Sequence, residues 1–169
     1  MPNTKHAVIR TDLMTGTDVA ADLRSVRYLK DGSTPTEIDN GCIVKLEGLL
    51  EGEREIYKGV TPAASDKKKD LVVIATPEVM YDERKKGLVN FYNEAGRNCR
   101  GYIMHENDIF SVTAEALTGD PKVGAIVEAA ASVKMNAVSV ASEDTTKIGE
   151  IIAVEAAGAL TYYVIRVCD

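Results

Sequence analysis

The chain has 169 residues, 45% hydrophobic and 27% charged, with a formal net charge of -6. That length fits one domain, or one domain with an arm, and buries a core without disulfides or metal. The negative balance argues against nucleic-acid capture, which needs a basic face toward phosphate, and three scattered cysteines without a C-x-x-C pair support neither a zinc site nor a redox motif.

The N-terminus, "MPNTKHAVIRTD", lacks the apolar stretch of a signal peptide. No apolar run reaches the ~18 residues that a bilayer span needs. The expectation is a protein kept in solution inside a cell, with no membrane partner. Residues 1–38 mix small, polar and turn-forming residues with few large apolar ones. They read as an extended N-terminal arm that docks on its own body or on a neighbour. A β-rich body then fills residues 39–169. Asp39, Asn40 and Gly41 supply a turn, because Asn and Gly tolerate positive φ. The run "CIVKLEGLL" follows as a strand. "DLVVIATP" is a short continuous apolar run stopped by Pro77, the pattern of a strand covered on both faces.

Between Asp82 and Gly96, Leu88, Phe91, Tyr92 and Ala95 recur at three- and four-residue spacings, which predicts a short helix or irregular turn. Gly87 weakens a helix there by about 1 kcal/mol relative to Ala. "RGYIMH" and "DIFSVTAEAL" return to strand, joined at Glu106 and Asn107. The C-terminal stretch predicts a hairpin bent at Gly158. It places Ile148, Glu150, Ile152 and Val154 on one face, and Tyr163, Ile165 and Val167 on one face of the return strand. Turn signals recur throughout, so the fold class is mainly β: an antiparallel barrel or sandwich with a short helix and the arm.

Candidate chemistry is sparse. His105 sits in "HEND", but the chain has only two histidines, and adjacent strand residues point to opposite faces. The segment reads as a hairpin tip. Glu78, Asp82 and Glu83 gather in "PEVMYDE" without the alternating ligands of a calcium loop, and read as a solvated loop or interface rim. "DKKKD", Asp66 to Asp70, reads as an exposed loop. No nucleophile elbow and no phosphate-cradling glycine motif occurs. The expectation is a non-enzymatic protein with no catalytic residue, metal or cofactor.

Three stretches carry a resemblance: "DNGCIVKLEGLLEGEREIY", the run from Lys69 to Gly119, and "TKIGEIIAVEAAGALTYYVIRV". Their order over residues 39–167 resembles the head decoration, or capsid cement, proteins of tailed phages and prophages. The resemblance implies a virion protein on the outer head surface, assembled in the host cytoplasm. It would bridge major capsid subunits, with neighbouring copies of itself as further partners. It also implies that an N-terminal arm, here residues 1–38, makes the bridge, but it carries over no site residue; within the arm, Val8, Ile9, Arg10, Leu23, Val26 and Tyr28 are the expected capsid-binding residues. A tail, head-fibre or baseplate component is the alternative. A glycan-binding or hydrolase domain using Glu78, Asp82, Glu83 and His105 is a third reading.

Overall fold

The computed structural model describes residues 6–83 and 87–168. The chain is mainly β, as the sequence predicts, and the twelve strands among the described residues form two sheets. Strands β2 (Leu23–Tyr28), β3 (Ile43–Leu49), β4 (Ile56–Val60), β5 (Leu71–Ile74) and β6 (Asn98–Ile103) close into a barrel in the order β2-β4-β3-β5-β6. Its pairs are antiparallel except β2–β4, which run parallel.

The second sheet has seven strands. They are β1 (Ile9–Leu13), β7 (Ile109–Val112), β8 (Leu117–Gly119), β9 (Ile126–Ala130), β10 (Ser132–Val138), β11 (Lys147–Ala157) and β12 (Leu160–Val167). Their order is β1-β7-β12-β11-β9-β10-β8.

Residues 6–38 are therefore no arm, and no domain boundary falls at residue 39. Strand β1 pairs with β7, and β2 is a stave of the barrel between β4 and β6. Val8, Ile9, Val26 and Tyr28 are buried, with Val26 fully so. These strands carry few apolar residues because each needs only its inward side chains. The rest of the stabilising surface comes from strands far along the chain: β7 for β1, and β4 and β6 for β2.

Two apolar clusters hold the molecule. Val26, Val44, Val72 and Ile74 fill the barrel with Cys42 and Cys99. Ile43, Leu71, Val73 and Tyr102 face out of it and pack with Phe110, Val127, Met135, Ile148 and Ile165 of the sheet. Strand β5 serves both clusters, and all four of its residues are fully buried. Its continuous apolar run is thus the signature of a strand covered on both faces. The barrel is narrow, and a Cβ on Gly59 would lie 2.6 Å from a methyl of Val26.

No α-helix forms over 82–96 among the described residues. Leu88–Asn90 is a single 3-10 turn, and residues 84–86 lie outside the described residues. Gly87, with φ +150°, and the Ile38–Asn93 bridge draw this stretch into extended backbone. The "HEND" turn is real, and Asn107 takes φ +71°. It joins a barrel strand to a sheet strand, however, so it is not the tip of a paired hairpin. Asp108 is buried at its base and accepts hydrogen bonds from the Thr15 amide (2.8 Å), the Thr15 hydroxyl (2.6 Å) and the His105 amide (2.9 Å).

The C-terminal hairpin closes through Gly158 and Ala159, with Gly158 at φ +62°. Its faces differ from the simple alternation. A bulge between Ile151 and Ala153 inserts Ile152, so Ile148 and Ile151 are buried while Ile152 and Val154 are exposed. Strand β9 covers β11 only over Lys147–Glu150, and the adjoining loop bonds Ile151. Beyond that, β11 has β12 as its only strand neighbour among the described residues. The hairpin's outer half is a ribbon whose β11 edge is open.

Candidate binding surface

A buried amide pair fixes the most sculpted face of the molecule. Asn40, in the turn before β3, donates its side-chain NH2 to the Thr76 carbonyl (2.8 Å) and accepts from the Thr76 amide (3.0 Å). This copies a strand pairing and pins the chain just after β5. Asn93 donates to the Ile38 carbonyl (3.0 Å) and to the Asn40 side-chain oxygen (3.1 Å). The two amides satisfy each other and hold residues 76–83 and 91–98 side by side. The Thr76 hydroxyl also accepts from the Arg100 amide at 3.0 Å.

Three grooves meet at Thr76 and Pro77 and take in residues 76–82. One, of about 340 Å³, runs past Arg24 and Arg100. A second, of about 300 Å³, is lined by Met80, Tyr81, Phe91, Tyr92 and Arg97. The third, of about 380 Å³, brings Arg10, Asp12, Glu78, Arg100 and Tyr162 together. Pro77 borders all three, and its missing N–H prevents β5 from continuing in ladder pairing. The chain leaves the barrel there with its apolar side chains outward: Val79 is 72% exposed and Tyr81 97%.

The charges on this face differ in how they are held. Arg10 donates to Glu155 at 2.5 Å, and its guanidinium lies 4.2 Å from the centre of the Tyr162 ring. Burial pushes the Tyr162 hydroxyl up; Arg10 pulls it down and Glu78 adds to the rise. Arg97 pairs with Glu94 at 3.5 Å. Arg100 is exposed and borders two of the grooves.

The structure does not bring the proposed acid–base residues into one place. Glu78 lines the Arg10 groove and Asp82 the aromatic one. His105 sits at the β6–β7 turn, 2.9 Å from Asp22. Among the described residues no group of three or more His, Cys, Asp or Glu side chains could hold a metal ion. Of the six residues expected to bind a capsid, Val8, Ile9, Val26 and Tyr28 are buried, Leu23 packs half-buried against the core at the edge of the first groove, and Arg10 lines the third groove with Ile9. Tyr81, Val79, Arg97 and Arg100 escaped the sequence reading. The adjacency of Val, Met and Tyr after a strand-ending Pro was their only signal.

No family model matches the chain, and no curated protein or solved structure matches it.

Proposed function

We propose that the chain is a virion structural protein that decorates the outer surface of a tailed-phage head and stabilises it by bridging neighbouring major capsid subunits. The observation that carries this reading is the face along residues 76–83. Val79 and Tyr81 stand out from a pinned backbone beside grooves bordered by arginines. Protein contact surfaces combine apolar and aromatic anchors with arginine in this way, and a few such residues supply most of the affinity. The contact region is thus this face rather than an N-terminal arm.

The charge of -6 suits the outside of a shell packed with DNA better than the inside. A rigid double-sheet body loses little conformational entropy on docking. Each contact can be modest, because a symmetric shell presents many copies of it. Preferential binding to the expanded shell then shifts the shell toward that state.

Co-sedimentation with undecorated heads is the test. The intact protein pellets with heads, and Tyr81→Ala weakens binding by about 2 kcal/mol or more, roughly 30-fold. A folded protein that stays in the supernatant at every concentration refutes the reading. Binding that survives Val79→Ala, Tyr81→Ala and Arg97→Ala combined refutes this face as the contact.

A further inference from the structure

We propose that two copies of the chain join through the open edge of β11, antiparallel and two-fold, with Val154 of one copy opposite Val154 of the other.

Strand edges are usually guarded by lysine, proline, bulges or covering segments. Residues 152–157 read Ile-Ala-Val-Glu-Ala-Ala, without Lys, Arg, Pro or Gly. The one charged residue, Glu155, is held by Arg10 of its own chain at 2.5 Å. Ile152 and Val154 are exposed, and no strand covers them on this side among the described residues.

The main chain sets the register. Ala157 pairs with Leu160 across the two-residue turn, so these residues form the hydrogen-bonded pair that closes the hairpin. Bonding alternates along the strand, so Glu155 and Ala153 bond to β12. Val154 and Ala156 turn their N–H and C=O toward the open side. An antiparallel dyad at Val154 matches outward groups with outward groups. It also sets Ile152 opposite Ala156 and Ala153 opposite Glu155, so no two like charges face each other. A dyad shifted to lie between Val154 and Glu155 would set outward-facing main-chain groups against inward-facing ones.

The shape permits the union. Six strand residues span about 20 Å, and antiparallel pairing puts the two bodies at opposite ends of the new four-stranded ribbon. The contact is isologous, so it closes at two copies and builds no fibre.

Sedimentation velocity on the full chain alone, from low micromolar to millimolar concentration, tests this without any capsid present. A monomer–dimer equilibrium is expected, and Val154→Lys raises its dissociation constant about tenfold or more by setting like charges together on the dyad. Val154→Cys in a Cys168→Ser background gives a disulfide-linked dimer on mild oxidation, whereas Glu155→Cys, placed opposite Ala153, does not. Near-ultraviolet circular dichroism checks that Val154→Lys remains folded. A strict monomer, a closed trimer, or a dimer indifferent to Val154→Lys overturns the proposal. So does hydrogen-exchange protection of residues 152–157 that appears only when heads are added, which would give the edge to a capsid strand instead. Head binding by residues 76–83 is read in a separate assay, and either result can fail without the other.

Discussion

Single buried polar side chains hold the turns of this protein in place. Asp108 collects three donors at the junction between barrel and sheet, so Asp108→Ala removes three part-buried hydrogen bonds and costs about 1–3 kcal/mol, measurable by urea denaturation. Glu128, buried on β9, is the second such group. Burial alone would push its carboxyl up, but bonds from the Thr145 hydroxyl, the Ser142 amide and hydroxyl, and the Asn136 amide outweigh it and hold the carboxyl below the usual range. Its folded state therefore binds a proton less readily than the unfolded chain. The stability it adds is complete above the unfolded value of about 4.3 and is lost as pH falls from there through the depressed folded value. Glu128→Gln removes that part of the acid dependence, which denaturation midpoints between pH 6 and pH 3 would report as a flatter profile. Among the thiols, burial pushes Cys42 and Cys99 up to about 12, with Asp39 adding to the rise at Cys42. A thiol reagent at mildly alkaline pH should thus modify the half-buried Cys168 first in the native protein and reach the other two only on unfolding.

At the scale of elements, β2 decides what can be removed. It lies between β4 and β6, and Val26 projects into the barrel against the bare backbone of Gly59 and Gly101. Deleting residues 1–38 opens the barrel, so the truncated chain should lack cooperative unfolding and near-ultraviolet ellipticity. Gly59→Ala forces its new methyl into Val26 and costs about 1–3 kcal/mol. Val26→Ala alone leaves a void, and the double variant should be less destabilised than the sum of the two, a coupling that a thermodynamic cycle measures. These elements also mark how far the sequence could be read. Strands β3, β5 and the terminal hairpin announce themselves through β-branched runs and the Asn-Gly and Gly-Ala turns. Strands β1 and β2 stay hidden because their reason for being strands lies in β7 and β6. The helical spacing of Leu88, Phe91 and Tyr92 misleads because Phe91 is buried through tertiary packing and Asn93 through a bridge to Ile38, not through a helix face. The bulge at Ile152 reverses the inside–outside order, and no residue type flags a bulge of that kind.

For the whole molecule, the barrel occupies residues 23–103 and the sheet takes β1 together with residues 109–167. Their shared cluster of Ile43, Leu71, Val73, Phe110, Val127 and Met135 joins the seven-stranded sheet to the barrel, whose own interior is filled by Val26, Val44, Val72 and Ile74. Calorimetry should accordingly show one transition whose van't Hoff and calorimetric enthalpies agree; two resolved transitions would mean that barrel and sheet unfold separately. The candidate surface exists only at this scale. Residues 10, 76–82, 91–94, 97–100 and 162 contribute to its grooves, and no contiguous window holds enough of them to stand out.

The entanglement of β1 and β2 with strands far along the chain governs how the protein is born. As it emerges from a ribosome, β2 meets its first partner only when β4 has been synthesised and its second with β6, while β1 waits for β7. The barrel cannot close before residue 103 is free of the exit tunnel, and the seven-stranded layer cannot be completed before residue 167 has followed it. Folding of this kind is governed by long-range closure and is slow, so the newborn chain passes through an interval with unpaired β-strands exposed, when a chaperone would have most to hold.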